Sequence, residues 1–219
     1  NRPIAKKCRA VLTSFPETAQ RLKNGKYAGA PMRRELFIAD RRAALAKYGF
    51  TGTRPVLLAL GGGSGSRAIN GALRAALFSL TEIFDVLHLC GKGNAAESTV
   101  RDYVQREYEE DMPAAYAAAD VALSRAGAGA AFELIALKKP TLFIPLENRR
   151  TRGDQAENAA YFEARGLARV LRESELTPAS LTAALFSLVQ DEEIKASLAA
   201  CALACGNGAI LKEIDKMME

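Results

Sequence analysis

Residues 121–134 read VALSRAGAGAAFEL: a short apolar run, a turn of small residues from Ser124, and a helical stretch that lasts until Lys138-Lys139-Pro140. Strand, small-residue turn, helix is an order that leaves free backbone N–H groups at a helix N-terminus. Orphan donors and the helix dipole act together there and attract anions. Gly127 and Gly129 let a ligand approach the backbone closely. Glu133 falls roughly one turn inside the helix, where a carboxylate can accept hydrogen bonds from a sugar diol. The same residues also read as a plain glycine-rich crossover turn with a solvated glutamate favoured by the dipole.

Outward from this stretch the same grammar repeats. Residues 55–60 (PVLLAL) form a continuous apolar run of the type buried on both faces of a parallel sheet, and 61–66 (GGGSGS) the turn after it. Residues 67–80 are helical, with apolar residues at 69, 72, 73, 76, 77 and 80. A second strand at 85–90 (DVLHLC) ends in Gly91-Lys92-Gly93. The pattern then predicts a helix at 97–102, a short polar strand at 104–108, a helix at 112–119, the strand 121–124 and a helix at 130–137. A buried strand at 141–145 (TLFIP), a charged loop at 147–153, a helix at 154–165 and a last strand at 168–171 follow. The remainder is helical, broken at Gly206-Asn207-Gly208. Strands alternating with helices predict an α/β fold, a doubly wound parallel six-stranded Rossmann-like sheet with right-handed crossovers. Ligands bind such sheets outside the carboxyl ends of the strands, at the topological switch point. Every glycine-rich turn here follows a strand, so all fall on that edge.

Upstream, 9–15 is β-prone, Pro16 and Glu17 open a short helix to 22, Asn24-Gly25 marks a turn, and 26–32 (KYAGAPM) is extended. This reads as residues 1–33 being the tail of an N-terminal domain whose earlier units lie upstream. A helical linker over 34–53 and a ligand-binding domain over 54–219 complete the expected organisation. The chain opens on Asn1, in mid-pattern, as the back part of a longer protein would.

Composition narrows the class. Of 219 residues, 49% are hydrophobic and 25% charged, as in ordinary globular proteins. The net charge of +5 comes from 30 Lys+Arg that are scattered, not massed in the dense stripe of a nucleic-acid binder. Four cysteines (8, 90, 201, 205) and one histidine, His88, are too few and too spread for a zinc site, and no CxxC exists. Cys201 and Cys205 are expected on one helix face, as buried thiols of a reducing cytoplasm. His88 lies in a buried-looking strand and reads as core. No apolar run reaches the ~20 residues of a membrane helix, and no signal peptide is visible.

The ligand can be narrowed by elimination. Gly63-x-Gly65-x-x-Ala68 fits a loose dinucleotide fingerprint, but the second strand ends in Leu89-Cys90-Gly91-Lys92 instead of the acid that holds an adenine ribose. A P-loop needs Gly-Lys-Ser/Thr, and here Ser66-Arg67 follows Gly65. No Asp-x-Asp pair offers a metal bridge to a diphosphate. A bound diphosphate would therefore rest on backbone N–H groups and on arginines, with Arg33, Arg67 and Arg125 as candidates, or these are solvated surface arginines. In 151–158 (TRGDQAEN), Gln155 and Asn158 share a helix face where amides read sugar hydroxyls, or Asp154 caps a helix beside solvated amides.

Five motifs, GGGSGSRAIN (61–70), DMPAAYAAAD (111–120), SRAGAGAAFE (124–133), TLFIPL (141–146) and RGDQAEN (152–158), occur in the order and spacing of the MurG family. VLTSF-ET at 11–18 and GAPMR at 29–33 resemble that family's segment before its second domain. The resemblance covers nearly the whole chain and weakens after about residue 171. It implies the C-terminal, donor-binding half of a GT-B glycosyltransferase that makes lipid II in peptidoglycan synthesis. The implied reaction is inverting transfer of GlcNAc from UDP-GlcNAc to the 4-hydroxyl of a lipid-linked muramyl pentapeptide. By position, Glu133 would bind the ribose hydroxyls, the backbone near Glu109 would read the uracil edge, and Arg33 with Gly61, Gly62, Gly63, Ser64 and Gly65 would face the diphosphate. Gln155 and Asn158 would hold GlcNAc, while Ala128, Gly129 and Ala130 would give amides to the phosphates. The base, the acceptor contacts and the membrane surface would belong to the N-terminal half, with the full protein peripheral on the inner face of the cell membrane. No cofactor, resident metal or nucleic acid is implied. The family often has Ser at the position of Gly63 and Ser or Thr at that of Ala130. Asp154 replaces an amide found in some members. A stand-alone donor-binding subunit working with a membrane partner, and a sugar-nucleotide 2-epimerase, are the alternative readings.

Overall fold

The computed structural model describes residues 2–146, 154–203 and 205–218. Its elements in chain order are α1 (Arg2–Ala5), β1 (Val11–Thr13), α2 (Pro16–Gln20), β2 (Gly25–Tyr27), α3 (Arg41–Tyr48), β3 (Val56–Leu60), α4 (Arg67–Thr81), β4 (Asp85–Leu89) and β5 (Tyr103–Arg106). There follow α5 (Met112–Ala118), β6 (Val121–Ser124), α6 (Ala128–Ala136), β7 (Thr141–Phe143), α7 (Asp154–Glu163), β8 (Arg169–Val170), α8 (Pro178–Val189), α9 (Glu192–Ala200) and α10 (Asn207–Met218). Two compact units emerge, residues 1–34 with 202–219, and residues 35–201.

The larger unit is built on the expected six-stranded parallel sheet, in the order β5-β4-β3-β6-β7-β8. Every residue of β3, β4, β6 and β7 is buried, because helices cover both faces and leave no solvent side for a polar alternation. Helix α4 buries Ile69, Ala72, Leu73, Ala76, Leu77 and Leu80, the stripe that the 3.6-residue period predicts. Helix α4 packs against α8, α6 against α7 and α3 against α5. Below α6, Phe132 and Phe162 meet edge to face at 5.3 Å, and full burial of such a ring contributes roughly 1.5–3 kcal/mol. From β3 the chain steps outward to β4 and β5, returns to β6 on the other side of β3, and steps outward again to β7 and β8. The reversal between β3 and β6 is the switch point.

In the smaller unit, β1 and β2 pair in parallel through α2. Asn207, at the start of α10, donates to the Met32 carbonyl (2.7 Å) and accepts the Met32 N–H (3.1 Å), so α10 clusters with the first 34 residues.

The structure departs from four local expectations. Residues 97–102 are not helical; the β4–β5 crossover is an irregular loop, and Asp102 at φ 63 adopts a left-handed turn that no α-helix accommodates. Within the helical linker expected over 34–53, residues 34–48 form two pieces, because Asp40 takes an extended conformation and caps the Ala43 N–H at 2.7 Å, starting α3 afresh. Helix α6 begins at Ala128, two residues earlier than the pattern suggests. Cys201 and Cys205 do not share a helix: Cys201 ends α9 in an extended conformation and Cys205 bridges to Ala30. Among the described residues, no helix is long and apolar enough to cross a membrane.

Candidate functional site

Parallel pairing sets Leu60 beside Ser124 at the carboxyl ends of β3 and β6. The chain leaves these strands through two loops of small residues, 61–66 and 125–127, next to each other on the edge where doubly wound sheets take ligands.

The glycines of the first loop divide into two kinds. A Cβ on Gly61 would lie 2.5 Å from the Ser66 nitrogen, and one on Gly65 only 2.0 Å from the Cys90 carbonyl oxygen. Gly65 also has φ 73, a left-handed conformation that favours glycine. Gly65 is needed so that the loop can lie on the turn after β4, and Gly61 so that the loop can fold back on its own end at Gly65-Ser66. At Gly62 and Gly63 a Cβ would meet nothing within 4 Å, so their backbone borders open space. Ser64 is exposed, and its carbonyl accepts from Asn94 Nδ2 at 3.1 Å.

A buried network supports this loop from below, and sequence reasoning missed it. Asn70 donates through Nδ2 to the Cys90 carbonyl (2.8 Å), the same oxygen against which Gly65 packs. Its Oδ1 therefore accepts from His88 Nε2 (2.9 Å), which leaves Nδ1 to take a hydrogen bond from Tyr103 OH (2.8 Å). Burial, reinforced by the charge of Arg74, pushes the His88 imidazole down to about 4. His88 is thus a neutral core residue, as its strand suggested, and fixes the floor of the loop.

Helix α6 starts with Gly127 as a cap that has no side chain to offer, and its first return bond is Ala131 N–H to the Gly127 carbonyl (2.9 Å). The amides of Ala128, Gly129 and Ala130 precede that bond and lack intrahelical acceptors. Ala128 and Gly129 are exposed, and neither Gly127 nor Gly129 has an atom within 4 Å of a Cβ position. Glu133 is half-buried on the same helix; its Oε2 accepts from Tyr116 OH at 2.8 Å, and Tyr116 is 1% exposed. The only acid on α6 is thus fixed from below by a buried phenol, a partner that lies on α5 and was not legible from spacing.

Two expected ligand contacts are turned inward. Arg125 donates to Ser66 Oγ (2.7 Å) and to the Ile144 carbonyl (3.0 Å) and pairs with Glu173, leaving its side chain 11% exposed. It ties the loops after β3, β6 and β7 together and is not aimed at a phosphate. Ser66 Oγ also caps α4 by accepting the Ile69 N–H (3.3 Å). Asn158 is buried and donates to the Ala126 carbonyl (2.9 Å), so it braces the second loop from α7 instead of facing a sugar. Gln155 is half-buried; its Oε1 accepts the Leu146 N–H (2.9 Å). Residues 152 and 153 of the RGDQAEN motif, and the charged loop expected at 147–153, lie outside the described residues. Arg67 is exposed in the first turn of α4, where the dipole disfavours a cation unless an anion is near. Arg33 is exposed in the smaller unit.

Past β5, Glu109 is locked. It accepts from Lys47 Nζ (3.0 Å), the Asp111 N–H (3.0 Å) and Tyr48 OH (3.0 Å). Burial opposes its ionisation, but these donors outweigh burial and hold the carboxyl below its usual range. With the side chain engaged, it is the backbone of 107–109 that is left at this edge, next to Tyr108, whose ring is 69% exposed. Among the described residues, no group of three His, Cys, Asp or Glu could hold a metal ion.

Comparison with known proteins follows the same lines. The family model of the glycosyltransferase family 28 C-terminal domain matches residues 56–216. A UDP-N-acetylglucosamine--N-acetylmuramyl-(pentapeptide) pyrophosphoryl-undecaprenol N-acetylglucosamine transferase from Clostridium kluyveri is 45% identical over 183 residues, covering 81% of this chain and 52% of the relative. Its namesake from Geobacillus thermodenitrificans is 46% identical over 188 residues, covering 84% and 53%. The chain thus spans about half the length of the curated relatives it matches. Among solved structures, MurG of Acinetobacter baumannii superimposes with a TM-score of 0.71 at 22% identity, covering 99% of this chain and 62% of that one. The glycotransferase of kitacinnamycin gives 0.72 at 20% identity, covering 94% and 54%. At these identities the structural matches establish the GT-B type of fold.

Proposed function

The chain belongs to the glycosyltransferase family 28 C-terminal domains, and from that premise we propose that it is the donor-binding half of an inverting glycosyltransferase that moves GlcNAc from UDP-GlcNAc to a lipid-linked muramyl pentapeptide. The observation that carries this reading is the meeting of two features at the switch point: open glycine backbone at Gly62-Gly63 and an uncapped helix N-terminus at 128–130. A diphosphate resting there is held by amides, with Arg67 as a cation. Glu133, steadied by Tyr116, takes the ribose diol. The backbone of 107–109 reads the uracil edge beside the Tyr108 ring, and Gln155 meets the GlcNAc hydroxyls. Arg125 and Asn158 keep the loops in register.

In the reaction the acceptor 4-hydroxyl oxygen bonds to the anomeric carbon as the bond from that carbon to the UDP oxygen breaks, inverting configuration. Negative charge grows on the departing diphosphate, and preorganised amides stabilise it. The hydroxyl proton goes to a general base. That base, the lipid contacts and attachment to the inner face of the membrane are assigned to the other half of the enzyme. Titration calorimetry of this chain with UDP-GlcNAc and with ADP-ribose tests the reading. Binding of the uridine ligand without sugar transfer is expected, and preference for the adenine ligand overturns it.

A further inference from the structure

The backbone just past β5 is held by side chains alone. Among the described residues, the N–H and carbonyl groups of Tyr108, Glu109 and Glu110 make no hydrogen bond, so neither a strand ladder nor a helix fixes which way their peptide planes face. The anchor is the Glu109 carboxylate, which turns inward until the side chain is 9% exposed. From the last turn of α3, Lys47 Nζ donates to Oε1 and Tyr48 OH to Oε2, each at 3.0 Å, and the Asp111 N–H closes back on Oε1 at 3.0 Å. Lys47 also reaches Asp111 (3.0 Å), which caps α5 by accepting the Ala114 N–H (3.1 Å). One lysine thus ties both Glu109 and the start of α5 to one helix end.

The two α3 donors are themselves fixed. Asp40 sets where α3 begins, and Gly49, at φ 75, ends it directly after Tyr48. Tyr48 is buried, with its ring against Phe50 at 6.1 Å between centroids. A buried carboxylate that loses a donor is left partly unsatisfied and moves toward water, taking its backbone with it. The orientation of the peptides on either side of Glu109 therefore depends on Lys47 and Tyr48.

That orientation matters for a pyrimidine edge. Uracil presents an acceptor at O4 and a donor at N3–H, whereas cytosine presents a donor at N4 and an acceptor at N3. Backbone offers one N–H and one carbonyl per residue, and rotation of a peptide plane exchanges what faces the base. Held planes match one pattern and leave polar groups unpaired against the other, while free planes adapt to either.

We propose that Lys47 and Tyr48, acting through the Glu109 carboxylate, are positioning residues that select uracil over cytosine in the donor nucleotide. This selection rests on the assignment of 107–109 to the uracil edge and adds the side chains that decide which base is accepted.

Titration calorimetry of the whole chain with UDP and with CDP tests it, in the parent and in Tyr48→Phe, Lys47→Met and Glu109→Gln. The parent should prefer UDP at least about tenfold, the effect of one unmade hydrogen bond. Each variant should narrow the UDP-to-CDP ratio roughly three- to tenfold, chiefly by gaining affinity for CDP. Tyr48→Phe keeps the ring against Phe50 and Glu109→Gln keeps an acceptor, so both stay informative if Lys47→Met impairs folding. A merely structural role would weaken UDP and CDP by the same factor. Variants that retain the parent's ratio overturn the proposal and leave the donor reading intact. A parent that binds UDP without rejecting CDP overturns the selection of uracil, and a parent that binds no UDP overturns the donor reading on which it stands.

Discussion

Alanine substitution at the four glycines of the first loop should split them by role. At Gly65 an alanine must adopt φ 73, which costs an L-residue about 1–2 kcal/mol. Its Cβ would also sit 2.0 Å from the Cys90 carbonyl oxygen and 2.9 Å from the carbonyl carbon. Both are backbone atoms of the turn after β4 and cannot rotate away, so loop or turn must shift, at about 1–3 kcal/mol for an overpacked site. Gly65→Ala should therefore lose about 2–5 kcal/mol, and at about 2–4 °C per kcal/mol for a chain of this length its melting temperature should fall by roughly 4–20 °C. Gly61→Ala meets the Ser66 nitrogen at 2.5 Å without the conformational penalty, so about 1–3 kcal/mol is expected. Gly62→Ala has φ 83 but no neighbour and should lose only the strain, about 1 kcal/mol. Gly63→Ala has neither cost, should melt within about 0.5 kcal/mol of the parent and should still bind UDP-GlcNAc, since a Cβ there meets nothing and the family often carries Ser at this position. Calorimetric melting gives the stabilities and titration calorimetry the affinities. A Gly65→Ala protein that melts with the parent, or a Gly63→Ala protein as unstable as Gly65→Ala, would refute the division into packing and ligand-facing glycines.

Glu133→Ala should weaken UDP binding at least about tenfold, since a hydrogen bond to a charged group is worth about 1.5–3 kcal/mol; unchanged affinity removes Glu133 from the site. Arg125→Gln should destabilise the larger unit by about 3 kcal/mol, because it leaves Glu173 and Ser66 Oγ without a cation partner. A double-mutant cycle with Glu173→Gln in urea unfolding checks this, and simple additivity would mean that the clip carries no energy. His88, the single histidine, can be followed directly by NMR. Its folded imidazole sits near 4 and its unfolded one near 6.5, so the unfolded state binds the proton first. Stability is fully present above the unfolded value and should fall as pH drops from about 6.5 toward 4, by up to about 1.4 kcal/mol per unit. An imidazole that titrates near 6.5 in the folded chain would sink that account of the loop floor.

Much of the fold was legible because both of its signals are local. Continuous apolar runs at 55–60 and 141–145, short and bounded by turn residues, read as strands covered on both faces, and the 67–80 period reads as an amphipathic helix. Residues 97–102 failed because a loop running beside a sheet edge carries no pattern of its own, and helix propensity alone does not fold a six-residue segment. Residues 34–48 failed because the periodicity outvoted one capping residue, Asp40.

The sequence alone determined the alternation of strands and helices, the edge on which the glycine turns lie, and the helix that carries Glu133, since each depends on residues adjacent in the chain. Only the tertiary structure decided which polar groups face outward. Arg125 and Asn158 look like ligand contacts in one dimension, yet partners 59 and 32 residues away in the chain, Ser66 and the Ala126 carbonyl, engage them. Likewise Gly61 and Gly63 are indistinguishable as letters, and only the approach of a neighbouring backbone makes the first a packing requirement and leaves the second open. The reason is that a buried donor must find an acceptor, and a Cβ must find room, in whatever the fold brings near, which separation along the chain does not encode.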